Sequence, residues 1–294
     1  MMKPISAGCP AIRAVIPGTT TTDASPGLSK DLVGVANIAY GTSPFGQKSG
    51  MLLVTGEKGF NESVCLNMLG QQIPRVFSGK PLYPSVFLTQ AAVSEFEKAI
   101  ENPYKSMSGD IDLQKYDNDH NCGTAVGIVA QQQENLTLGE VTLGEFRKVY
   151  ITGHGSAGID ALGSGGSVYT AKELVDILVA HNILDQIKDI RLVSCYSADK
   201  RRPASFTQED IEKANRPPGF FEKMLLGART SFMEKVADEI WRRGYTDVKV
   251  SGYHGAGVFY AGDIPFTHLR STTVPATLTI KRETVRETLE SQID

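Results

Sequence analysis

Two apolar runs in this sequence stop at residues able to do covalent chemistry. KVYITGHG (148–155) closes on His154 between Gly153 and Gly155, and DIRLVSC (189–195) closes on Cys195. A thiol attacks carbonyl carbon as its thiolate, and an imidazole can help form it and return the proton. Acyl transfer also needs donors for the developing oxyanion. The backbone N–H of Gly155, with no side chain beside it, and that of Cys195 are the candidates. Glycine on both sides of His154 permits a sharp turn and a close approach to substrate. Ser194 and Ser197 flank the thiol with small side chains, which leaves room for an extended peptide.

The elements around these residues follow from periodicity. Residues 50–55 (GMLLVT), KVYITGH, DIRLVSC and DVKVSGY read as strands. Residues 89–101 read as a helix with Val93, Phe96 and Ile100 on one face. TAKELVDILVAHNIL is a second, with Leu174, Ile177, Leu178 and His181 at helical spacing and a Thr170/Glu173 capping box. SFMEKVADEIWRRG is a third, with a Ser231/Glu234 box and Gly244 as its stop. Residues 106–124 and 197–219 read as loops. Strand alternating with helix predicts an α/β fold, a mostly parallel sheet with helices on its faces and right-handed crossovers. In such a sheet, groups gather beyond the carboxyl ends of the strands. One crossover separates His154 from Cys195, so both should reach the same edge.

The chain has 294 residues and a net charge of −3, which excludes a global basic field for nucleic acid. Cys9, Cys65, Cys122 and Cys195 include no CxxC pair, so reduced thiols are expected rather than a disulfide framework or zinc ribbon. No apolar run reaches the roughly 18–20 residues of a membrane span. Lys3 is followed by no apolar h-region, so no cleaved Sec signal is expected. Residues 1–35, rich in Pro, Gly, Ser and Thr, read as a disordered tail or as the export leader of a specialised secretion system. Residues 36–145 form an N-terminal region open to membership of the same domain, and 146–294 form the core.

Other signals are weaker. GTSPFGQKS (41–49) resembles a P-loop with one residue too many, and precedes a strand rather than joining strand to helix. DNDHNCG (117–123) resembles a calcium loop, with its glycine one position late and Ile128 in place of the bidentate glutamate. His254 closes another strand; it could complete a zinc site with His154 and Cys195, line a groove or simply pack. His120 and His268 read as loop or surface residues, and Trp241 as helix core. No GxSxG elbow supports a serine hydrolase.

The span KVYITGHGSAG … LVDILVAH … IRLVSCYSAD … SFMEKVADEIWRRGYTDVKVSGYHGAG resembles the clan CD cysteine peptidases. Within that clan it is most similar to the C80 peptidase family, the self-processing domain of large bacterial toxins. It resembles even more specifically the stand-alone OspB-type type III secreted effectors. The likeness covers about residues 145–270. It implies a caspase-like three-layer sandwich and proteolysis through an acyl-enzyme on Cys195. His154 would protonate the leaving amine and Gly155 would help form the oxyanion hole. It further implies a virulence effector secreted into a host cytoplasm, with a host protein substrate and a secretion chaperone as partners. No metal, nucleic acid or membrane span is implied.

The resemblance also implies activation by inositol hexakisphosphate. Such a ligand needs clustered cations, and the candidates are Lys200, Arg201, Arg202, Arg242, Arg243, Lys249, Lys281, Arg282 and Arg286. The loop after Cys195 is longer than the family pattern; it could shape the groove, cover it or bind the activator. The first 145 residues match no family pattern and could hold an activator site, a substrate-recruiting surface or a shielding segment.

Overall fold

Around β1 (Met51–Val54), buried at all four positions, the rest of the sheet is laid down. The computed structural model describes residues 49–219, 224, 229–258 and 266–292. The further strands are β2 (Ser85–Phe87), β3 (Asn135–Thr137), β4 (Val149–Ile151), β5 (Leu162–Ser164), β6 (Ser167–Tyr169), β7 (Asp189–Leu192), β8 (Lys249–Tyr253), β9 (Ala256–Val258), β10 (Leu269–Ser271), β11 (Ile280–Lys281) and β12 (Arg286–Leu289). The helices are α1 (Glu62–Gly70), α2 (Ile73–Phe77), α3 (Gln90–Glu101), α4 (Asn118–Gln132), α5 (Ala171–Ala180), α6 (Ile183–Gln186), α7 (Gln208–Asn215) and α8 (Phe232–Arg242).

Seven strands form one sheet in the order β12-β8-β7-β4-β1-β2-β3. Only β12 runs antiparallel to its neighbour. The α/β class and the mostly parallel sheet are therefore as the periodicity indicates. Strands from both sides of residue 145 share this sheet, with β4 at its centre and β1 beside it.

From β1 the chain steps outward one way through β2 to β3, then returns to β4 and steps the other way through β7 to β8. Crossovers of one hand then place helices on opposite faces of the two halves. The core follows this division. Met51, Leu53, Val149, Ile151, Ile190, Leu192 and Val250 pack with Leu174, Val175 and Leu178 of α5 and Phe232, Met233, Val236 and Ile240 of α8. Val54 and Phe87, pointing the other way, pack with residues of α1 to α4 such as Leu69, Val76, Phe96 and Val126. The crossovers β4–β7–β8 send α5 and α8 to the first face. On the second face Tyr150 and Arg191 stand side by side in register, with Tyr253 further along β8.

Both capping boxes form, and Gly244 takes φ +93° just past α8. Three readings are corrected. The loop expected over 106–124 ends at Asp117, which caps α4. That helix starts on a polar turn because buried Asn121 is fed by the loop itself. Its Nδ2 donates to the carbonyls of Asp112, Tyr116 and Asp117, and its Oδ1 accepts the Asp112 N–H. The same helix start leaves no calcium loop at 117–123. The expected loop 197–219 contains α7, capped by Thr207, with Ala214 as its one buried residue and hence no apolar stripe to betray it. His181 is the exposed C-cap of α5 rather than part of its packed face. The expected leader (1–35) and nearly all of the P-loop-like stretch lie outside the described residues.

Candidate active site

The point where the sheet reverses its stepping direction lies between β1 and β4, and His154 sits at its carboxyl edge. Beyond Ile151 the pairing continues through the Thr152 N–H to the Leu53 carbonyl, then stops. His154 leaves the sheet and exchanges two backbone hydrogen bonds with Gly163 of β5, at 2.7 and 2.8 Å. The β5–β6 hairpin turns at Gly165–Gly166, and Gly165 packs on Gly56 at the end of β1. The His154 backbone is thus held by a hairpin that is itself seated on the neighbouring strand end.

Cys195 reaches the same edge one strand over. Val193 donates to the Ile151 carbonyl, and the chain then turns at Tyr196, whose φ of +55° is uncommon for an aromatic residue. The Tyr196 N–H donates to the Gly255 carbonyl at 2.8 Å, which holds the turn. The two strand ends touch at Gly155: a Cβ built there would lie 2.7 Å from the Cys195 carbonyl oxygen and 3.0 Å from Ser194 Cβ and Oγ. Glycine is required here by close approach, and the contact fixes the His-Gly end against the Ser-Cys end.

The surroundings of the sulfur suit a thiolate. Half-buried Cys195 accepts the Gly257 N–H at 3.4 Å. Beside it Arg270 of β10, 1% exposed, donates from Nη1 to the carbonyls of Ser194 and Gly255 and from Nη2 to that of Val193. Burial brings this guanidinium down to about 10, and its attraction to Cys195 works against that fall. A buried cation beside a partly exposed sulfur is the environment that favours a reactive cysteine. The other described thiols differ: burial pushes both Cys65 and Cys122 up to about 11. No described cysteine is in a disulfide.

The open second face of β4, β7 and β8 forms the floor of a cavity of about 560 Å³. Arg75, Lys80, Lys148, Arg191, Lys281, Arg282 and Arg286 line it together with Tyr83, Tyr150, Tyr253 and His268, and Glu283 is its one acidic residue. Arg75 lies over the Tyr83 ring at 3.7 Å, and Tyr83 stacks on Tyr150. The cations crowd one another. Burial, and then Arg191, hold Lys148 below the usual lysine range, while burial also lowers Arg282. His268 is pushed to about 3 by burial and by Arg282, and its Nε2 faces the Gln71 carbonyl at 2.7 Å. Burial alone would raise Tyr83, but Arg75, a hydrogen bond from Ser49 and Lys148 bring it below its ordinary value.

This cavity sorts the basic candidates. Lys281, Arg282 and Arg286 line it, joined by Arg75, Lys80, Lys148 and Arg191, which sequence reasoning missed. The others are engaged elsewhere or lie outside its lining. Lys200 pairs with Glu234 at 2.7 Å, Arg201 donates to the Ala214 and Arg216 carbonyls, and Arg202 lies over the Tyr196 ring. Arg242 pairs with Glu239, Arg243 with Glu239 and Asp176, and Lys249 opens β8 away from the lining. The cations of the cavity come from four stretches of the chain, 75–80, 148, 191 and 281–286, and two of them also have local partners: Arg191 pairs with Asp189, and Arg75 donates to the Pro81 carbonyl.

A usable signal existed in Arg191 and Tyr150, polar or amphipathic residues at the alternate positions of otherwise apolar strands. Arg270 gave none, because its strand was not read. His268, expected at the surface, stands in the cavity wall because β10 and the Gln71 carbonyl draw it in. His254 donates from Nδ1 to Asp199 at 2.7 Å. No group of three or more His, Cys, Asp or Glu able to hold a metal occurs among the described residues, nor any helix long and apolar enough to cross a membrane. No protein-family model matches the chain, and no curated protein matches it.

Proposed function

We propose that this chain is a cysteine endopeptidase of the clan CD kind, with a caspase-like three-layer core. Cys195 is the nucleophile, His154 the acid–base partner, and the Gly155 N–H a donor to the oxyanion. The supporting observation is the contact of Gly155 with Ser194 and Cys195, which brings the two strand ends together beside the Gly257 N–H and Arg270. The thiolate would attack the scissile carbonyl, His154 would protonate the departing amine, and water would release the acyl group.

The cavity adds a regulatory ligand to this reading. Seven cations against Glu283 in the lining, and Asp189 paired with Arg191 beside it, fit a highly phosphorylated small molecule, and inositol hexakisphosphate is the one the sequence resemblance names. A secreted effector acting on a host protein in the host cytoplasm accounts for both the peptidase and its ligand. A second reading, a non-catalytic effector that binds inositol phosphate, is favoured by the cavity alone.

Cleavage of a peptide library by the purified chain, with and without inositol hexakisphosphate, separates the two. Cys195→Ala and His154→Ala should each abolish cleavage, a loss of at least about a thousandfold, while leaving ligand binding intact. Full activity in either variant ends the dyad. Absence of cleavage in the unaltered chain, together with tight ligand binding, selects the second reading.

A further inference from the structure

Asp199 is fully buried and lies four residues beyond Cys195. A buried carboxylate is costly unless its oxygens are filled by hydrogen bonds. Here one oxygen accepts His254 Nδ1–H at 2.7 Å and the other the Gly255 N–H at 2.8 Å. Its backbone carbonyl accepts the Gly158 N–H at 2.8 Å, from the loop that follows His154-Gly155. One residue therefore ties together the nucleophile loop, the histidine loop and the turn between β8 and β9.

That turn governs what reaches the sulfur. Gly255, at φ +75°, gives its carbonyl to the Tyr196 N–H and to Arg270, and two residues later the Gly257 N–H meets Cys195 Sγ at 3.4 Å. On its other side, His254 Nε2 lies 3.5 Å from Glu287 on β12. Glu234 and Lys200 complete the charged surroundings of that carboxyl. The imidazole is thus wedged between a strand and the nucleophile loop.

We propose that Asp199 and His254 form a positioning pair, which holds the 254–256 turn and thereby aims the Gly257 N–H at the Cys195 sulfur. Neither is a catalytic residue; both act through the turn. The inference rests on Cys195 being the reactive thiol, and not on the chain being a peptidase.

Alkylation tests it independently of any substrate. The rate at which iodoacetamide modifies Cys195 in the folded full chain, followed by peptide mass mapping from pH 5 to 10, reads the thiolate directly. Cys65 and Cys122 serve as internal references. Asp199→Asn, close in shape but with one acceptor oxygen, and His254→Phe should each raise the Cys195 inflection by about one pH unit, slowing modification at pH 7 about tenfold. His254→Asn, whose amide N–H can replace Nδ1–H, should restore most of the loss. Thermal melts identify any variant that has not folded, and the near-isosteric Asp199→Asn then decides. An unchanged inflection in Asp199→Asn, or His254→Asn behaving like His254→Phe, overturns the pair. If the peptidase reading alone fails, Cys195→Ala leaves any cleavage untouched while the alkylation profile still answers for Asp199.

Discussion

Strands β4, β7 and β8 have two unlike faces. On one, Val149, Ile151, Ile190, Leu192 and Val250 lie under α5 and α8, packed and apolar. On the other, Tyr150, Arg191 and Tyr253 floor a cavity of about 560 Å³ crowded with cations. The difference comes from connection rather than composition. Crossovers of one hand deliver α5 and α8 to the same face, so the opposite face is left to be roofed by segments from elsewhere. Those segments bring charge: Arg75 from α2, Lys148 from before β4, Lys281 and Arg282 from the chain after β10. A packed face stabilises by burial. A hollow face holding like charges costs stability.

The largest contrast should come from trimming the packed face. Leu192→Ala should cost about 2–5 kcal/mol, read as a lowered denaturant midpoint. A loss below 1 kcal/mol would mean that the face is less tightly packed than its burial indicates.

Acid should act next, through the hollow face. His268 stays neutral in the folded protein down to about 3, while the unfolded chain takes up the proton near 6.5. The unfolded state therefore binds more protons between those values, and stability falls as pH drops through that window. Between pH 7 and 4.5 the unaltered chain should lose about 2 kcal/mol more than His268→Gln. Parallel stability–pH curves for the two would remove His268 from the acid response.

Ligand binding gives a smaller, sharper contrast. Lys148→Met or Arg75→Met should weaken inositol hexakisphosphate about tenfold each, by calorimetry, since each removes one charge-assisted contact. Lys148→Met should also raise the melting temperature of the ligand-free protein by relieving its repulsion with Arg191. At the bottom of the scale, Arg242→Ala, which removes a cation paired with Glu239 on the outside of α8, should change ligand affinity less than twofold and stability by under about 0.5 kcal/mol. A large effect there would erase the distinction between cavity cations and surface ones.

Much of the frame was legible along the chain. The apolar runs GMLLVT, KVYITGH, DIRLVSC and DVKVSGY gave four of the parallel strands. The capping boxes at Thr170 and Ser231 located two helix starts, because these signals are local. Short, half-polar or late strands such as β3 and β9 to β12 were not legible; they owe their conformation to partners distant in sequence. α4 and α7 escaped for the related reason that capping and loop carbonyls, rather than an apolar stripe, support their ends.

By itself the sequence determined that His154 and Cys195 close successive apolar runs, and that glycine follows the histidine. In a parallel sheet that order carries both to one edge, so the candidate pair could be read without coordinates. Only the tertiary structure decided which cations act together. Lys281, Arg282 and Arg286 share a cavity with Arg75, Lys148 and Arg191, while runs such as Lys200 to Arg202 are dispersed onto local partners. It alone also brought Arg270 and His254 to the loop that carries Cys195 and Asp199. Charges and turns are placed by contacts between segments up to about two hundred residues apart (Gln71 with His268 and Arg282 is one), and periodicity, a local property of the chain, carries no record of them.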